Sequence, residues 1–230
     1  MGVLRTRIWQ VPVHVDRSWL AVLGMIAGGY GLFAYASIPD TQPLTAASSG
    51  ILVGLALSAS LLLHELAHAR SALAAGIEVD HVRIHAGGGS CQRRQEIEHA
   101  HHQFRIAAAG PLSSLAIGTA TVLALLALAP ADMAGSLTMA AWLVAFTNTV
   151  IAVSTLLPVF PFDGGTLLHA VYWRRSGDRR VASALLRRTG RSFARVVLGL
   201  GVLLVAGSEV LLGGLVAGLG LYLLAMPSPT

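Results

Sequence analysis

No stretch constrains this chain more than residues 51–75. From Ile51 to Leu63 the only polar side chains are Ser58 and Ser60, and the run continues straight into His64-Glu65-Leu66-Ala67-His68. On a helix, residues four apart share a face, so His64 and His68 can hold one metal while Glu65 points beside it. The lead-in and Leu66-Ala67 are those of a membrane span, not of a half-solvated helix. Two imidazoles and a carboxylate are costly in hydrocarbon, and such groups there mark a functional site. The pattern predicts a metal centre built into a spanning helix.

Composition agrees with a membrane setting. Only 12% of the 230 residues are charged and 54% are hydrophobic, with mean hydropathy +0.68; soluble domains carry about 25% charged residues. The lone Cys91 excludes an intramolecular disulfide framework. Net charge is +5 and the pI is near 10.3. This basicity does not point to nucleic acid, because all 16 basic residues are arginines sorted to particular loops.

The chain reads as an all-α polytopic membrane protein with six spans, at about 19–37, 45–75, 104–129, 137–160, 192–207 and 210–226. A basic lead occupies 1–18, where Pro12 would break a helix. Gly76 is a helix stop after the second span. Alternating Ile77, Val79, Val82 and Ile84 before Gly87-Gly88-Gly89 predict a membrane-associated β-hairpin between the second and third spans. Pro130-Ala131-Asp132 forms a turn. The stretch 178–195 reads as a basic amphipathic helix lying on an anionic leaflet. With six spans every arginine falls on one side, because 38–44, 130–136 and 208–209 contain none. The positive-inside rule makes that side cytoplasmic, with both termini there.

In this topology the second and fourth spans run in the same direction and bring His64, His68 and Asp163 to the same leaflet. Two histidines and one aspartate are three ligands, leaving the fourth zinc position for water as catalysis requires. Zinc would lower the pKa of that water toward ~7, and Glu65 would take its proton. Asp163 in isolation is an ordinary Asp-Gly turn residue. It gains weight from Leu156-Leu157-Pro158-Val159-Phe160-Pro161-Phe162-Asp163-Gly164-Gly165, whose prolines loosen the backbone where an extended substrate must fit.

These motifs, together with Gly110-Pro111-Leu112-Ser113-Ser114 and the opening Pro12-Val13-His14-Val15 to Ser18-Trp19-Leu20, resemble the site-2 protease family of intramembrane zinc metalloproteases. The resemblance is to the small bacterial and archaeal type and covers nearly the whole chain. It implies a single transmembrane protease domain over 1–230 that cleaves a single-span membrane protein near the cytoplasmic leaflet of a prokaryotic cell membrane. The implied substrate is an anti-sigma factor or another membrane-tethered regulator, as in regulated intramembrane proteolysis. One Zn2+ per chain is implied, held by His64, His68 and Asp163 with Glu65 as base. Thr155, Ser114, Gly110, Pro158 and Pro161 would support substrate or transition state. The hairpin would guide substrate as an added strand. No PDZ or CBS module is expected after Met226.

This sequence departs from the family at two positions. Thr155 stands where Asn is usual, and its single hydroxyl replaces an amide only in part. Ser114 stands where Asn is frequent. His99, His101 and His102 read as a solvated loop, His85 and Cys91 lack further ligands, and His169 reads as a supporting or surface group. The glycines at 87–89 lack the Lys and Ser/Thr of a phosphate loop. A different class, a metal or proton transporter using His64, His68 and Asp163 in transit, predicts flux that survives loss of Glu65. A membrane-anchored peptidase with a cytosolic site would want a downstream helical Glu as third ligand, and no suitable one is present.

Overall fold

The computed structural model describes residues 2–128 and 135–226. The elements in chain order are β1 (Gly2–Ile8), β2 (Val11–Asp16), α1 (Arg17–Ser37), α2 (Pro43–Ala74), β3 (Val79–His85), β4 (Gly88–Arg93), α3 (Ala100–Leu128), α4 (Ser136–Thr155), α5 (Asp163–Ser176), α6 (Arg179–Ala206) and α7 (Val210–Ala225). The described residues fall into two compact units, one within Met1–Glu96 and Ala109–Val153, the other within Ile97–Ala108 and Ser154–Thr230.

In the first unit a four-stranded sheet has the order β1-β2-β3-β4. β1 and β2 form an antiparallel hairpin, β2 and β3 run parallel, and β3 and β4 are antiparallel. Val11, Val13, Val82 and Ile84 put their side chains into one core with Leu66 and Ala69 of α2 and Trp19 of α1. The sheet therefore packs on the stretch of α2 that carries His64 and His68. Asp16 caps α1, its Oδ1 accepting from Ser18 N–H at 3.1 Å, and its Oδ2 pairs with Arg83 at 2.8 Å.

Helices α1 and α2 approach closely where side chains are small: a Cβ on Gly50 would lie 3.0 Å from Gly31 N and would collide with Ala27 O. Such approach suits helices in lipid, where packing and hydrogen bonds replace the hydrophobic drive. Trp19 Nε1 donates across this pair to Ser58 Oγ at 3.1 Å. α2 ends in a Schellman cap, with Gly76 N–H bonded to Leu73 O and Ile77 N–H to Ala72 O, both at 3.0 Å. Gly76 carries the left-handed φ of 76° that this cap needs, and it is the helix stop expected from the sequence.

In the second unit the chain leaves α4 at Thr155 and turns through 156–162, where the Phe160–Pro161 peptide is cis. Asp163 then opens α5. Gly164 and Gly165 lie on the turn backbone: a Cβ at 165 would fall 2.7 Å from Phe160 N. α6 and α7 pack through small residues in the same way, a Cβ on Gly213 meeting Gly201 O at 2.7 Å.

Three expectations change. The basic lead over 1–18 holds, within its described residues, the β1–β2 hairpin (Gly2–Asp16), so the predicted hairpin is half of a four-stranded sheet. The fourth helix stops at Thr155 rather than 160, ahead of Pro158, and Asp163 belongs to the next helix. No separate surface helix precedes the fifth span: α6 is one helix from Arg179 to Ala206, because nothing between these residues breaks it. The turn at 130–132 and residue 129 of the third span lie outside the described residues.

Among the described residues, five helices are long and apolar enough to cross a membrane: α1, α2, α3, α4 and α6. α7 is apolar but has 16 residues, roughly 24 Å at 1.5 Å per residue. Large apolar side chains face outward, as at Leu211, 82% exposed, and Leu32, 72% exposed. In water such a surface would be an aggregation liability, and against acyl chains it is the native one.

Candidate metal centre

Within the first unit, α2 buries His64, Glu65 and His68, with exposures of 3%, 7% and 7%. The i, i+4 spacing brings the rings together at a centroid distance of 4.9 Å and an interplanar angle of 76°. The two Nε2 atoms lie 3.2 Å apart. Two nitrogens each at 2.0–2.1 Å from a tetrahedral zinc are about 3.3 Å apart, so the separation suits two ligands of one ion.

Ser114 of α3, fully buried, places Oγ 2.9 Å from His64 Nδ1. When Nδ1–H donates to Ser114, Nε2 keeps its lone pair, which is the tautomer a metal needs. Gly110, one turn earlier on α3, faces both rings: a Cβ there would lie 2.5 Å from His64 Nε2 and would also collide with His68 Nε2. The missing side chain is what leaves room at the two nitrogens. Gly89 of β4 does the same for the base, since its Cβ would fall 2.5 Å from Glu65 Oε1. Glu65 is thus roofed by strand backbone.

On β4, two residues after Gly89, burial raises the Cys91 thiol to about 11, and the charge of Glu65 adds to the effect. A thiol so protonated is a poor ligand. His85 Nδ1 accepts from Gly87 N–H at 3.0 Å and serves the β3–β4 turn. Sequence reasoning missed Asn148 of α4. It is fully buried, and its Nδ2 donates to Ser60 Oγ at 3.1 Å and to Val144 O at 2.9 Å. Ser60 stands one turn before His64 on α2. Among the described residues the Asn148 Oδ1 has no hydrogen-bond partner. The signal was present in the sequence as a lone amide in an apolar span.

The second unit holds the other expected residues. Thr155 ends α4, Pro158 and Pro161 lie in the turn that follows, and Asp163 is the first residue of α5. His169 is a structural residue: its Nδ1 lies 3.0 Å from Gln103 Nε2 and its Nε2 3.2 Å from Ser183 Oγ. Burial lowers its pKa. The rings of His99, His101 and His102 cluster, with 101 and 102 at 4.0 Å. Among the described residues, their ligand atoms do not converge into a three-donor set.

Comparison with known proteins fits this geometry. Rip3 of Mycobacterium tuberculosis, named as a zinc metalloprotease, is 39% identical over 165 residues, covering 72% of this chain and 41% of that protein. The protein sll0528 of Synechocystis, named likewise, is 29% identical over 196 residues, covering 85% of this chain and 51% of its own length. The chain therefore spans about half of these relatives' length, or somewhat less. The fold is that of the Site-2 Protease from Methanocaldococcus jannaschii, with a TM-score of 0.56 at 20% identity over 99% of this chain and 97% of that one. The sequence model of the Peptidase M50B-like family matches residues 44–187. With its apolar helices, the chain is an integral membrane protein, and it belongs to the Peptidase M50B-like family.

Proposed function

We propose that this chain is an intramembrane zinc endopeptidase that cleaves a single-span membrane protein near the cytoplasmic leaflet. The observation that carries the reading is the buried His64–His68 pair, its Nε2 atoms 3.2 Å apart, with Glu65 beside it on the same helix. The donor set fits zinc. His64, His68 and Asp163 each offer one ligand atom, and Asp163 is assigned here as the third ligand. A bound zinc ion supplies Lewis acidity for activating water at neutral pH.

The chain's own residues do the rest. Glu65 takes the proton from the attacking water and passes it to the leaving amine. Ser114 holds the His64 ring, and Gly110 and Gly89 keep space at the imidazoles and the carboxylate. Thr155, near Pro158 and Pro161 in sequence, offers a hydroxyl to the substrate carbonyl. An extended peptide pairs with β4, an edge strand in the order β1-β2-β3-β4; edge pairing exposes the scissile carbonyl that a helix hides. The assigned topology counts α7 as a sixth span in one protease domain over 1–230, with both termini and all 16 arginines on the cytoplasmic side. The substrate class is a membrane-tethered regulator such as an anti-sigma factor, cut where its helix is weak.

Co-expression with a single-span substrate tests the reading. Glu65→Gln should retain zinc and lose cleavage by a factor of roughly 10²–10⁴, the usual worth of a general base, and Asp163→Ala should purify with depleted zinc. Cleavage by Glu65→Gln at the wild-type rate would refute the mechanism. Metal flux across vesicles that persists in that variant would favour a transporter.

A further inference from the structure

A second feature of the second unit is independent of the metal centre. The first turns of α3 and the last turns of α5 enclose a cavity of about 540 Å³, within the size range of small-molecule sites. Phe104 and Val171 give it an apolar wall, and Arg105, Arg174, Arg175 and His101 line it as well. Among the described residues, none of these three arginines has a carboxylate partner. Three unpaired guanidiniums around an apolar wall repel one another and present donors suited to phosphate.

The position along α3 indicates the occupant. α3 has 29 residues, roughly 43 Å, whereas the hydrocarbon core is about 30 Å thick. Its polar, arginine-bearing start, from Ala100 to Arg105, therefore extends to headgroup depth. We propose that this groove binds the phosphate of an anionic phospholipid, with the glycerol and upper acyl chain against Phe104 and Val171. Basic pockets between helices at this depth recognise such headgroups. An acidic peptide would match the charge but not an apolar wall that continues into the lipid-facing helix.

Full-length protein in neutral detergent, titrated with phosphatidylglycerol and followed by native mass spectrometry, tests this. One tightly held phosphatidylglycerol per chain is expected, with phosphatidylcholine not retained. Each arginine is worth roughly fivefold at an anionic surface, so R105Q/R174Q/R175Q should bind about 100-fold more weakly. R105K/R174K/R175K should retain most of the binding, which separates lost charge from lost fold. R188Q/R191Q/R195Q, with the same charge change on α6, should bind as wild type. Equal weakening in both glutamine triples would overturn the proposal, because it would mean diffuse attraction. Displacement of the lipid by equimolar inorganic phosphate or by an acidic peptide would also overturn it, since either would assign the groove to a soluble ligand.

Discussion

Ser114→Ala isolates one hydrogen bond at the metal centre. Ser114 is fully buried and His64 is 3% exposed, so no water can replace the hydroxyl 2.9 Å from Nδ1. An imidazole N–H left unpaired in such a place costs about 1–3 kcal/mol. Part of that cost is relieved when the proton moves to Nε2, but Nε2 then cannot ligate. The energy therefore appears as lost metal affinity, and 1.4 kcal/mol per decade gives roughly 10–100-fold. The same range is typical for removing the partner of a metal-bound histidine. Competition of the purified protein against a zinc chelator measures it directly. Ser114→Asn, whose amide oxygen can accept from Nδ1–H, should restore most of the affinity. If Ser114→Ala holds zinc within twofold of wild type while melting at the same temperature, the hydroxyl does not orient His64 and the reasoning fails.

Three further outcomes follow from the geometry. Gly110→Ala should raise helix propensity by roughly 0.5–1 kcal/mol, yet the added methyl occupies the space at both Nε2 atoms. Zinc affinity should then fall at least tenfold by chelator competition, and the apo protein should gain none of that propensity in its melting temperature, because the methyl must displace two buried rings. Cys91, its thiol raised by burial to about 11 from an ordinary 9.0, should alkylate about 100-fold more slowly at pH 8 in the folded than in the denatured protein. Asp16 is held down to about 2 from 3.8, first by its bond to Arg83 and then by Ser18 N–H. Its contribution to stability is present above pH 3.8 and lost as pH falls through about 2. Arg83→Gln should therefore flatten the dependence of melting temperature on pH between 4 and 2.

The long apolar helices and the His64–Glu65–His68 face were legible because periodicity and hydropathy dictate them locally. Gly76 was legible for the same reason: only a residue at ease with φ of 76° closes that cap well. The β1–β2 hairpin was not. Val11, Val13 and Val15 do alternate, but the turn uses Trp9 and Gln10 at φ of 49° and 69°, where Asn-Gly would have signalled it. Pro12 then drew attention as a helix breaker rather than as a strand residue. Ser114 was legible as part of the Gly110–Ser114 motif, but its contact with His64 joins residues 50 apart on two helices. No local rule assigns such a partner. Asn148 was overlooked because Thr147 and Thr149 beside it make it read as one more small polar residue in the span, and its importance comes from Ser60, 88 positions away.

The continuity of α6 has a mechanical consequence. The arginine-rich end and the apolar end belong to one helix of 28 residues, a rod of roughly 42 Å. With no hinge to absorb motion, each degree of tilt about one tip swings the other by about 0.7 Å. A force applied to the charged tip is therefore felt by α7, whose Gly213 and Gly220 are seated against α6 with no slack for a methyl group.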